Sequence, residues 1–306
     1  MKTFRLFVER FLAARNGKGG GTGSGVGTTW TLRTLQGRDR PISGVTYGNN
    51  TFVAVEGGGI ILTSPNGRNW TARSSAEGLL PTWGLHQGVT YGDGLFVVVG
   101  STGTILTSPN GRSWRRQFLR SDDPIDLTSV AYGKGFFVAV GLGGTNITSL
   151  DGMTWMQGTL QTRDFLHGVT YGNGLFVAVG WYGTILTSPG WPIWMRQTSP
   201  TSESLWSVVY GNGLFVAVGN NGTILTSPDG VNWTAQTSGT EHSLHGVTYG
   251  NGLFVAVGDG GAILTSPDGV NWTAQISPTS ESLWSVVYGN GLFVAVGNNG
   301  TILTSP

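Results

Sequence analysis

The chain has no cysteine, so no disulfide framework can staple it, and cysteine usage leaves the redox compartment open. No apolar run approaches the roughly 20 residues that span a bilayer as a helix, which excludes a transmembrane helix. At the N-terminus Arg5, Glu9 and Arg10 interrupt any apolar leader core, so no Sec signal peptide is expected. The four histidines, His86, His167, His242 and His245, lack zinc-ligand spacing. The Asp-Gly turns fall on separate repeats instead of forming a calcium cage. No glycine-rich phosphate loop follows a strand and opens a helix. Neither a metal nor a cofactor is therefore expected. Charge is scarce, at 11% of residues, and unevenly placed. Residues 1–40 hold eight Lys/Arg against two acids, whereas residues 201–306 hold six acids and no Lys or Arg. A nucleic-acid binder would carry a basic stripe across its body, so no nucleic-acid partner is expected.

Glycine is abundant, at 52 of 306 residues, alongside many Val, Thr, Tyr, Phe and Trp. That mixture favours short strands joined by tight turns. Internal repetition orders it. Tyr-Gly recurs with Tyr at 47, 91, 132, 171, 210, 249 and 288, and a Trp recurs at 30, 70, 114, 155, 194, 233 and 272. Residues 199–228 and 277–306 are identical, which points to duplication. A period near 40 residues, seven times over, predicts an all-β, seven-bladed β-propeller with four-stranded blades. In residues 206–237, WSVVY, LFVAV, TILTS and the Trp233 segment read as the four strands, separated by Asn-Gly and Asp-Gly turns. LFVAV is apolar throughout, as expected of a strand covered on both faces. The chain stops at Pro306, one strand short, and the missing Trp strand lies around Trp30. Supplying it from residues 28–34 is expected to close the ring in a three-plus-one manner.

Ahead of the recurring Trp stands Ser-Pro-Asp-Gly, as in Ser227 to Trp233 and Ser266 to Trp272. The third repeat has Ser149, Asp151, Gly152 and Trp155; the first two place Asn66 and Asn110 at the Asp position, and the fourth departs with Gly190-Trp191-Pro192. The pattern resembles the Asp-box (BNR) repeat of sialidase-like propellers, one residue shorter, over residues 28–306. It is also similar to the repeats of photosystem II assembly-factor propellers. The resemblance implies the fold; hydrolases, lectin-like proteins and assembly factors all share it. A sialidase-like site would need an arginine cluster, a tyrosine nucleophile and a carboxylic acid. Only Tyr182 lies outside the Tyr-Gly repeat, and Arg115, Arg116, Arg120 and Arg163 beside Asp122, Asp123, Asp126 and Asp164 read as solvated loop charge. The chain reads as non-catalytic.

In a propeller the turns after strands one and three share one face, which here is monotonous. The opposite face varies. Its tips read Gly57-Gly58, Ser101-Thr102, Leu142-Gly143, Trp181-Tyr182, Asn220-Asn221, Asp259-Gly260 and Asn298-Asn299. Four residues before each repeated Tyr, at the mouth of the central channel, stand Ser43, Gln87, Thr128, His167, Trp206, His245 and Trp284. With Trp83, Trp181 and Tyr182 on the same face, these rings make a candidate ligand-binding surface, and a glycan or cell-surface receptor is the expected ligand, the alternative being a structural or assembly-factor propeller that binds protein partners through this face. The competing reading is that Trp206 and Trp284 only pack against neighbouring loops. Residues 1–16 place Phe4, Phe7, Val8, Phe11 and Leu12 at helical spacing, an amphipathic anchor that docks on a protein partner, on the propeller itself or on a membrane surface, followed by a Gly-rich linker at 17–27. Anchor and tether suit a display module on a larger assembly, such as a virion or cell-surface structure.

Overall fold

The computed structural model describes residues 25–33, 35, 37–73, 88–119, 125–158, 160, 162–190 and 193–306. The expected anchor helix with Phe4, Phe7, Val8, Phe11 and Leu12, most of the Gly-rich linker, and Trp83 and Gln87 lie outside these residues. The protein is all-β: seven four-stranded antiparallel sheets. One blade runs Leu205–Gly211, Leu214–Gly219, Ile224–Ser227 and Thr234–Gln236 from channel to rim. Among the described residues the helical turns are short 3-10 turns such as Asn220–Gly222, at the tip between strands two and three. The seventh sheet runs Leu283–Gly289, Leu292–Gly297, Ile302–Ser305 and then Thr31–Arg33. Thr31 lies opposite Thr304 and Arg33 opposite Ile302. Trp30 occupies the rim position that Trp233 takes in the fifth blade: each indole donates to the carbonyl of the glycine three residues earlier, at 2.9 Å.

The core lies between the blades, and LFVAV is written for that geometry. Successive side chains of a strand point to opposite faces. Val177 and Val179 of the fourth blade therefore pack on Phe215 and Ala217 of the fifth, with Leu225 and Trp233 completing the cluster. Val216 and Val218, on the other face of that strand, pack on Phe254 and Ala256 of the sixth blade. A large ring beside a small methyl on one face meets two branched side chains on the next. Phe52, Phe96, Phe137, Phe176, Phe215, Phe254 and Phe293 are all fully buried this way, each worth about 1.5–3 kcal/mol of transfer free energy.

Tyr-Gly does more than mark the repeat. The Tyr ring of each blade lies on the Gly of the blade before. A Cβ on Gly211 would sit 2.2 Å from Tyr249 Cγ, and one on Gly289 would sit 2.2 Å from Tyr47 Cγ, so the contact passes from the last blade to the first. The ring of Tyr210 also meets Phe215 at 4.6 Å, and Phe215 meets Trp233 at 6.4 Å. These glycines are required by close approach.

The Ser-Pro-Asp-Gly segments are hydrogen-bonded turns. Asp229 Oδ1 accepts the amides of Val231 and Asn232, both at 2.8 Å, and the Ser227 hydroxyl at 3.0 Å. These donors, the Asn232 amide foremost, hold the Asp229 carboxyl well below the usual carboxylate range. Asn66 accepts the amides of Arg68 and Asn69 in the same way, at 3.0 and 2.9 Å, which is why Asn can stand there. In the fourth blade no such carboxylate exists, and Ser188 donates to the Gly190 carbonyl at 2.8 Å instead.

Candidate functional site

The innermost strands surround the central channel, and among the described residues six of the seven begin with an irregularity. Leu166 pairs with Gly180 but Gly168 pairs with Val179, so His167 is an extra residue in the ladder. The same bulge falls at Ser43, Thr128, Trp206, His245 and Trp284. A bulge re-aims the side chain it carries, and all six of these residues line one channel cavity of about 160 Å³. Below them follow small residues, alternately Gly and Ser from Ser129 round to Ser285, where neighbouring backbones come close. Val169 donates its amide to Ser129 Oγ at 3.2 Å, and Val45 donates to Ser285 Oγ at 3.3 Å.

The channel mouth is two-sided. On the first and third blades the bulged residues are hydroxyls bound to backbone. Ser43 donates to the Val55 carbonyl at 3.4 Å, and Thr128 to the Val140 and Leu166 carbonyls at 3.1 and 2.6 Å. On the fourth to seventh blades the rings form one unbroken arc. Trp181 meets His167 at 6.1 Å between centroids, His167 meets Trp206 at 4.3 Å, Trp206 meets His245 at 5.7 Å, and His245 meets Trp284 at 4.5 Å. All five are half-buried. Phe165 extends the arc, 4.1 Å from Trp181. Tyr182 stands at the outer end, 6.0 Å from Trp181 and 67% exposed. Its φ of 55° occupies a left-handed position held elsewhere by Asn221 and Asn299. A bulky residue there is strained.

Each ring of the last three blades is fixed by a residue 14 positions later, on the tip of its own blade. Trp206 donates its indole N–H to Asn220 Oδ1 at 2.6 Å, and Trp284 to Asn298 Oδ1 at 2.8 Å. His245 Nε2 lies 2.9 Å from Asp259 Oδ1. The partner changes with the ring: Asn opposite Trp, Asp opposite His. The sequence reading placed His167, Trp206, His245, Trp284, Trp181 and Tyr182 together, as the structure does. It missed Phe165 and the partners Asn220, Asp259 and Asn298, which had passed for ordinary turn residues. The constant offset of 14 residues is visible in the sequence, but blades five and seven are identical copies and the fourth blade has Trp181 at that offset from His167.

The fold is that of a seven-bladed β-propeller. No protein-family model matches the chain, and no curated protein matches it. Among solved structures it is similar to YCF48 from Cyanidioschyzon merolae, at 16% identity and a TM-score of 0.72, covering 90% of this chain and 98% of that one. YCF48 bound to D1 peptide matches at 17% identity and a TM-score of 0.74, covering 90% and 94%. Virginiamycin B lyase from Staphylococcus aureus matches at 12% identity and a TM-score of 0.80, covering 90% and 98%. At these identities the likeness is one of fold, shared by an enzyme and by non-enzymes alike.

Several of the charged residues weighed above for a hydrolase are engaged elsewhere or exposed on the rim. Arg115 and Arg116 are exposed on the rim strand Arg115–Gln117. Asp164 is engaged by Thr184 Oγ1 at 2.6 Å and Arg196 at 3.2 Å, and these bonds, Thr184's first, lower its pKa. Asp126 accepts the Thr102 amide at 2.7 Å. Arg120, Asp122 and Asp123 lie outside the described residues. Among the described residues no group of three or more His, Asp or Glu side chains could hold a metal ion, and no helix is long and apolar enough to cross a membrane.

Proposed function

We propose that the chain is a non-catalytic recognition propeller that takes up a segment of a partner protein at the mouth of its central channel, on the side of the fourth to seventh blades. The observation that carries this is the arc from Trp181 to Trp284, placed on bulges and braced from the tips. Rings pre-positioned in this way provide contact area at low entropic cost, as interface anchors do. One fold neighbour, YCF48, is seen with a D1 peptide, which makes the assembly-factor reading the first choice here. In the same proposal the strand around Trp30 closes the ring, the Ser-Pro-Asp-Gly turns are Asp-box devices of structural use, and residues 1–16 tether the propeller to a larger assembly at a virion or cell surface.

A glycan at the same mouth is the second reading, favoured by the exposed ring of Tyr182 beside Trp181. Both are tested by presenting the full chain to a dodecapeptide array and a glycan array, with a Trp206→Ala/Trp284→Ala variant as control. Peptide binding that the variant loses supports the first reading. Glycan binding alone, lost in the variant, replaces it with the second. Turnover on a fluorogenic glycoside panel would overturn the non-catalytic assignment.

A further inference from the structure

We infer that the mouth selects a cationic side chain, lysine or arginine, of the partner segment; this rests on the protein-segment reading above. The first ground is where the acids stand. No Lys or Arg follows Arg196, which is itself paired with Asp164. Of the six acids beyond it, Asp229 and Asp268 are consumed by the turns of the opposite face, where each accepts two backbone amides. The other four, Glu203, Glu241, Asp259 and Glu281, fall in the tips and loops of the mouth face. Residues 201–306 thus place four acids and no Lys or Arg on the mouth face, while Arg38 and Arg40 stand beside the seventh-blade tip, Arg38 paired with Glu56 and the Arg40 carbonyl accepting the Gly300 amide at 2.9 Å.

The second ground is the chemistry of the lining. Indole faces attract cations, most strongly where water is partly excluded, and Trp206 and Trp284 both line the cavity. Between them the side chain of half-buried His245 is 9% exposed, with Nδ1 lacking a hydrogen-bond partner. In the tautomer that donates Nε2–H to Asp259 Oδ1, Nδ1 carries the lone pair of an acceptor. An ammonium or guanidinium N–H is the complementary donor. Asp259 is 42% exposed on the tip above and can accept further N–H donors. Across the channel, Ser43 and Thr128 already donate to their own backbone, so discrimination falls to the ring-bearing side.

The test uses the full chain and the dodecapeptide array, followed by calorimetric titration of the best peptide and of its Lys/Arg→Gln copy. Basic peptides should be enriched. The Gln copy, the Trp206→Ala/Trp284→Ala variant and Asp259→Asn should each weaken binding about tenfold, with Asp259→Glu restoring part of it. Trp206→Phe and thermal melting separate loss of contact from loss of fold. If neutral or acidic peptides are selected instead, the cation inference is wrong while the protein-segment reading stands. If the folded chain binds no peptide, that reading itself fails. If basic peptides bind but neither Asp259→Asn nor the double Trp variant weakens them, the assigned site is wrong.

Discussion

The two faces of the disc are built from the same repeat and treated differently by it. On the turn face, Asp229 and Asp268 make the same set of bonds, and Asn66 and Asn110 make a reduced version of it. On the mouth face, the equivalent position is Ser, Thr, His or Trp, and its tip partner changes with it. A position that must serve every blade-to-blade joint cannot vary without breaking the ring. A bulged residue that points into open channel is released from that demand, so difference accumulates there. Variation among internal repeats thus locates function by the same physics that makes sameness structural.

Substitutions can break or sharpen this contrast. The largest effect is expected at the blade joints: Phe215→Ala, which empties a fully buried site, should cost about 3–5 kcal/mol in chemical denaturation. Gly211→Ala comes next. Its new methyl meets Tyr249, and about 1–3 kcal/mol is expected for overpacking; a Tyr249→Ala background should recover part of it, while an unchanged melting temperature in the single variant would mean the ring gives way freely. On the turn face, Asp229→Ala should lower the melting temperature measurably and Asp229→Asn far less, because Asn66 performs the same task. The pH behaviour sharpens that pair. The Asp229 carboxyl is depressed in the folded chain, so its contribution is fully present above the unfolded value near about 4 and is lost as pH falls toward the folded one. The Asp229→Asn/Asp268→Asn variant should show a shallower loss of stability on acidification. Smallest on stability should be Asn220→Ala on the mouth face. It removes the acceptor of the Trp206 indole N–H, and its effect should be read in tryptophan fluorescence and ligand affinity ahead of melting.

The architecture was legible because it is repeated. Tyr and Trp spacing set the blade count, and the Phe-x-Ala alternation of LFVAV carries the inter-blade core within five residues. Tyr-Gly served only to mark the repeat, because its partner is a whole blade away and no local pattern announces a ring lying on a Cα. The site was half legible. Offset from the repeated Tyr placed His167, Trp206, His245 and Trp284 at the mouth, but the bulge that aims them follows from pairing register, which sequence spacing alone does not display. Asn220 and Asn298 looked like turn formers because Asn also suits the left-handed backbone one residue on, where Asn221 and Asn299 stand.

The identity of residues 199–228 with 277–306 has a consequence for how the chain finds itself. Thr31–Arg33 pairs with Ile302–Ser305, yet Ile224–Ser227 is the same tetrapeptide in the same local setting. Nothing in the third strand tells the wandering N-terminal strand which of the two to join. The choice falls to tethering: the segment Thr234–Gln236 is attached a few residues from Ile224–Ser227 and holds that edge at a high effective concentration. The Ile302–Ser305 edge is the one that Thr31–Arg33 covers. The polypeptide distinguishes two identical addresses by who already lives next door.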